Sequence, residues 1–146
     1  MQDKRLTVRL MRYWDLLRKD GVLPQWERVN PGVIEDAWPR CCAWRVEVGR
    51  NDTLVYTYEY VGKSVREALG ANPTGQMFMS QLRGFPGARI AQRSDEVVKS
   101  RTPVTEEGRF INEVTQVVKY RSCLLPFGTK SGKVTHILLG LSWKAY

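Results

Sequence analysis

The sequence predicts an α+β domain: a five-stranded antiparallel sheet covered on one face by short helices, with an N-terminal amphipathic helix. Three observations predict it. Apolar residues near the start recur at helical spacing. Period-two alternation appears over residues 40–48 and 54–61 and returns in three segments after residue 103. Between these two groups of strands lies a stretch broken by glycine and proline, where the strand signal is absent.

From residue 4 to 19, Leu6, Leu10, Tyr13, Trp14 and Leu17 fall on one helical face and Arg5, Arg9, Arg12, Asp15 and Arg18 fill the other. Asp20-Gly21 is expected to end this helix, with glycine suited to a left-handed terminal position and Pro24 shortly beyond. Asn30-Pro31 reads as a cap followed by a first-turn proline, so a short helix is expected over 32–37, closing before Trp38-Pro39.

The period then changes to two. Cys42, Trp44, Val46 and Val48 alternate with Cys41, Ala43, Arg45 and Glu47; Gly49-Arg50-Asn51-Asp52 carries turn chemistry; and residues 54–61 place Tyr56, Tyr58 and Tyr60 on one side. The two strands read as a hairpin. Short helical pieces follow to residue 101, the longest being 88–100, where Ile90, Ala91, Ser94, Val97 and Val98 share a side. Residues 103–112, 114–125 and 134–143 complete the strands, the last two joined by a loop over 126–132. Residues 1–22 are thus assigned to a flanking helix and 23–146 to the sheet domain.

Composition fits a folded chain, with 42% hydrophobic and 26% charged residues. No run approaches the ~20 apolar residues a membrane span needs, and Arg9 and Arg12 interrupt any signal-peptide core, so a soluble cytoplasmic protein is expected. The net charge of +8 invites a polyanion partner. Basic residues are nevertheless spread along the chain and interleaved with acids, which favours a solvated surface over a nucleic-acid site. The three cysteines, two of them adjacent at Cys41-Cys42, lack metal-ligand spacing and read as buried thiols.

No nucleophile elbow, zinc-protease motif, paired Cys-x-x-Cys or phosphate loop occurs; Gly84-Phe85-Pro86-Gly87 lacks the lysine and spacing of the last. Glu106-Glu107 reads as a solvated acidic pair at a turn, since successive carboxylates diverge. No enzyme is expected, and no catalytic or metal-binding residue is assigned. Pocket candidates are the aromatic and apolar strand residues Trp44, Val46, Tyr56, Tyr58, Tyr60, Val118, Tyr120 and Leu138, with Asn112, Gln116 and His136 as polar contacts. For the tyrosine row, filling the core is the competing reading. His136 competes as a structurally satisfied histidine.

Several segments resemble the PAS superfamily, in particular small, mostly bacterial PAS-like proteins with a Tyr-Trp pair in the N-terminal helix. Those segments are Arg12-Tyr13-Trp14 with Leu16-Leu17-Arg18, then Leu23-Pro24, Asn30-Pro31, Ile34 and Trp38-Pro39. They continue with Tyr58-Glu59-Tyr60-Val61-Gly62, Leu69-Gly70 and Thr74-Gly75. Tyr120-Arg121-Ser122-Cys123-Leu124-Leu125-Pro126-Phe127, Gly132-Lys133-Val134 and Ile137-Leu138-Leu139-Gly140 look like the final hairpin.

The resemblance implies a stand-alone sensory or regulatory PAS fold that binds an unknown small molecule or a signalling protein and forms a homodimer. Leu6, Leu10, Tyr13, Trp14 and Leu17 are the dimerisation candidates. The cofactor stays unknown. The Asn-Cys-Arg-Phe-Leu-Gln motif of flavin photosensors is missing, and His136 is on a strand, where haem-binding members use a helix histidine. A ligand-free interaction scaffold is the alternative.

Overall fold

The computed structural model describes residues 2–19, 21–69, 72–78, 88–111 and 115–146. Helix α1 (Gln2–Arg18) is followed by turns and two short 3-10 segments, Trp26–Arg28 and Trp38–Arg40. Strands β1 (Cys41–Val48) and β2 (Leu54–Val61) with a third 3-10 segment, Arg50–Asp52, between them, helix α2 (Lys63–Leu69), the two-residue β3 (Met77–Phe78), helix α3 (Ala88–Ser100), and strands β4 (Val104–Ile111), β5 (Val117–Gly128) and β6 (Val134–Ala145) complete the described elements. All pairings are antiparallel, in the order β3-β2-β1-β6-β5-β4. The five long strands are those expected from alternation; β3 adds a short sixth at one edge.

The central position of β6 follows from topology: the last strand closes between the first hairpin and the β4–β5 pair, so it is flanked on both sides and carries Ile137, Leu138, Leu139 and Leu141 buried. Both sheet faces are covered. The side holding Trp44, Tyr56, Tyr58, Tyr120 and Leu139 is called here the front; α3 reaches it through Tyr56 and Glu106. The opposite side, the back, holds Cys41, Ala43, Cys123, Leu138 and Gly140, and α1 lies on it. Leu10 rests on Gly140, where even a Cβ would overlap its Cδ1. The indole Nε1 of Trp14 donates to the Pro126 carbonyl at 2.6 Å, so the ring is buried without an orphaned donor.

Local chemistry departs from the sequence expectation in three places. Lys19, not Gly21, takes the left-handed conformation after α1, with φ 53°. Residues 31–37 form successive turns instead of a helix: the Asn30 side chain accepts from Gly32 N–H at 3.0 Å, a tight local bond that competes with helical pairing. The β5–β6 loop is shorter than expected, because β5 runs on to Gly128 and the turn closes with Thr129 N–H on the Lys133 carbonyl.

Candidate functional site

The front face meets α3 through polar groups, beside Ile90 and Val97 of the helix, which are buried in the core. Tyr56 on β2 donates its hydroxyl to Asp95 on α3. Arg93, two residues earlier on the helix, donates to Glu106 on β4 at 2.9 Å, and Tyr120 on β5 donates to the other oxygen of the same carboxylate at 3.0 Å. Burial, then the bond to Asp95, push the Tyr56 phenol upward and keep it a donor. Two strands, β2 and β4, are therefore fastened to α3, and Tyr120 ties β5 to the same Glu106, above a floor of Trp44 and Tyr56 that are fully buried.

Glu106 corrects the reading of Glu106-Glu107 as a solvated turn pair. Both lie inside β4, where neighbouring side chains point to opposite faces. The Glu106 side chain is 7% exposed, whereas Glu107 points to the back and pairs with Arg121 at 3.0 Å. Alternation through Gly108 was the signal available in the sequence; it already separates the two carboxylates.

The pocket candidates divide between the faces. Trp44, Val46, Tyr56, Tyr58, Val118 and Tyr120 share the front and are buried. Tyr60 does not join them. The β1–β2 register slips between Ala43 and Trp44, so Glu59 is an extra residue and Tyr60 turns to the back. There its ring stacks on Trp38 at 4.2 Å and its hydroxyl donates to the Trp38 carbonyl, while burial raises its pKa to about 12. Leu138 and His136 are also on the back. His136 stacks on Trp26 with centroids 4.9 Å apart, and its Nε2 is 3.1 Å from Glu59 Oε2. Gln116 is exposed ahead of β5. Asn112 and the Gly84-Phe85-Pro86-Gly87 loop lie outside the described residues.

The dimerisation candidates are placed on the chain's own sheet. Leu6, Leu10 and Trp14 are buried in the single chain, and the partly buried Tyr13 and Leu17 pack against the same core.

Among the described residues, two clefts open at opposite ends of β6. One, of about 370 Å³, is lined by Arg40, Ser64, Glu67 and Trp143 where β1 begins and β6 ends. The other, of about 500 Å³, is lined by Trp14, Arg18, Gly21, Val22, Ser100, Arg101, Thr102 and Pro103. Arg18 is committed there to Asp15 and to the Gly21 carbonyl.

The cysteines are buried thiols. Cys41 and Cys123 flank Gly140 on the two neighbouring strands. Two strand spacings, about 9–10 Å, separate their backbones, and a disulfide spans at most about 7 Å. Burial pushes Cys42 and Cys123 up to about 12 and Cys41 strongly upward, with the neighbouring thiols adding to the effect on Cys41. Among the described residues no three His, Cys, Asp or Glu side chains gather as metal ligands would, and no helix is long and apolar enough to cross a membrane.

A family model described as PAS domain matches residues 2–142, from α1 to the end of the sheet. The chain belongs to the PAS domain family. Membership makes it a domain of the sensory and signalling class. Among solved structures, this PAS domain is similar to the PAS domain of Bordetella pertussis BvgS, with 14% identity, TM-score 0.44 and coverage of 78% of this chain and 80% of that one. It is also similar to the PAS domain of an HTR-like protein from Haloarcula marismortui, with 13% identity, TM-score 0.41 and 98% of both chains covered. No curated protein matches the chain.

Proposed function

We propose that this PAS domain is a regulatory sensor that takes a small ligand on its front face and passes the change to a signalling partner through α3. The observation that carries this reading is the polar seam of Tyr56–Asp95 and Arg93–Glu106–Tyr120. A helix held by apolar packing alone has no discrete alternative partners. One held by directional bonds can exchange them, which supplies two arrangements with different affinities for a ligand, as a population shift requires. The protein's output is then a change of shape, and its chemistry is binding, not catalysis.

The test uses protein purified without added ligand. Native mass spectrometry reveals a retained small molecule, and thermal shift against a metabolite library reveals one that stabilises the fold. A ligand found by either route supports the sensor; its absence from both overturns it.

A second reading, an interaction scaffold without a ligand, is favoured by one observation: Trp44 and Tyr56 are 0% exposed, so protein side chains already fill the sheet's middle. The same measurements separate the two.

A further inference from the structure

The smaller cleft combines opposite charges that have no partner among the described residues. Arg40 ends the 3-10 segment before β1, and Glu67 lies on α2 one turn after Ser64, so the hydroxyl and the carboxylate share a helix face. Among the described residues neither the Arg40 guanidinium nor the Glu67 carboxylate makes a hydrogen bond or an ion pair, although both line one cavity with the Ser64 hydroxyl and the half-buried Trp143 ring. By contrast, Arg9, Arg18, Arg45, Arg93 and Arg121 each hold a carboxylate.

The cleft is built by the backbone. Gly62 N–H donates to the Cys41 carbonyl at 2.8 Å, and a Cβ on Gly62 would run into the Pro39 and Cys41 carbonyls. That close approach fixes the start of α2 against the segment carrying Arg40, so the two walls hold their spacing without a ligand. Preorganised walls lower the cost of binding.

We propose that this cleft binds a free amino acid or an equally small zwitterion. Arg40 offers a planar fork for the carboxylate, Glu67 and Ser64 accept from the ammonium, and Trp143 provides an indole face for the remaining side chain. A cavity of about 370 Å³ lies within the range that small-molecule sites occupy. A mono-ion leaves one of the two protein charges unmatched, which is how the site discriminates. The proposal deepens the sensor reading and rests on it.

The probes are the twenty free L-amino acids, each with its decarboxylated amine and its N-acetyl derivative, titrated calorimetrically into the wild-type protein and into Arg40→Gln and Glu67→Gln. At least one free amino acid is expected to bind, its amine and N-acetyl forms about tenfold or more weaker. Arg40→Gln should remove the preference over the amine, and Glu67→Gln the preference over the N-acetyl form. Circular dichroism of both variants checks that they fold, and the analogue series on the wild type stands without them. If no amino acid binds, or if both mono-ions bind as well as the parent, the zwitterion site is overturned. Should a library compound bind while all amino acids fail, the sensor survives and this site does not; if nothing binds, both fall.

Discussion

The ring of Tyr120 lies over Gly108 on the neighbouring strand, in the space that a side chain there would fill. The two residues are direct register partners, and a Cβ on Gly108 would come within 2.5 Å of the Tyr120 hydroxyl. The glycine is what lets the phenol extend along the sheet to Glu106, so one missing side chain underlies the polar seam with α3. Gly108→Ala should therefore displace the ring and cost about 1–3 kcal/mol by overpacking. Denaturant melts measure the loss. A double-mutant cycle of Gly108→Ala with Tyr120→Phe should show strong non-additivity, because each change breaks the same bond to Glu106. Additive effects would mean the ring does not need the glycine.

Leu10 and Trp14 should behave as core residues. Leu10→Ala is expected to cost about 2–5 kcal/mol, since the leucine sits fully buried on Gly140. Trp14→Phe leaves the Pro126 carbonyl without its donor, at about 1–3 kcal/mol. Light scattering should show the same mass for both variants as for the parent. A variant that changes mass while keeping its stability would return these residues to a subunit interface.

Alkaline pH should unfold the protein through its thiols. Folding keeps Cys42 and Cys123 neutral until about pH 12, so the unfolded chain loses protons first. Their contribution is complete below the ordinary thiol range of about 8.5 and disappears as pH rises through about 12. Stability measured between these limits should fall less steeply in a Cys42→Ala, Cys123→Ala protein. Native protein at neutral pH should also resist thiol reagents until it unfolds; prompt labelling of any of the three cysteines would refute their burial.

At the acid end the exposed pair of Arg9 and Asp36 acts in the opposite sense. The hydrogen bond from Arg9, with its charge, holds Asp36 at about 2, below its ordinary value of 3.8. The stabilisation is present above about pH 4 and vanishes as pH falls through about 2. Asp36→Asn should flatten the stability curve across that window, and salt should flatten it in the parent, since the pair is open to solvent. An unchanged curve in the variant would show that the pair does not hold in solution.

The sheet was largely legible because alternation survives even where single residues are ambiguous. The ends of β2 and of α3 coincide with the expected 54–61 and 88–100. What escaped depends on partners. The bulge at Glu59 is fixed by how β2 pairs with β1 and leaves no mark in the side-chain chemistry, yet it moves Tyr60 to the other face. Glu106 is buried because Arg93 and Tyr120 reach it from a helix and from another strand. The cleft residues Arg40, Ser64, Glu67 and Trp143 are scattered along the chain, so no spacing rule unites them.

Gly140 gives β6 two unlike surfaces. Leu139 and Leu141 press into the front layer, but between them the strand offers bare backbone to Leu10 on α1. A side chain at that point would cushion small displacements by changing rotamer. Without one, Leu10 rests directly on the strand's backbone, so α1 lies closer to β6 than a side chain at that position would allow.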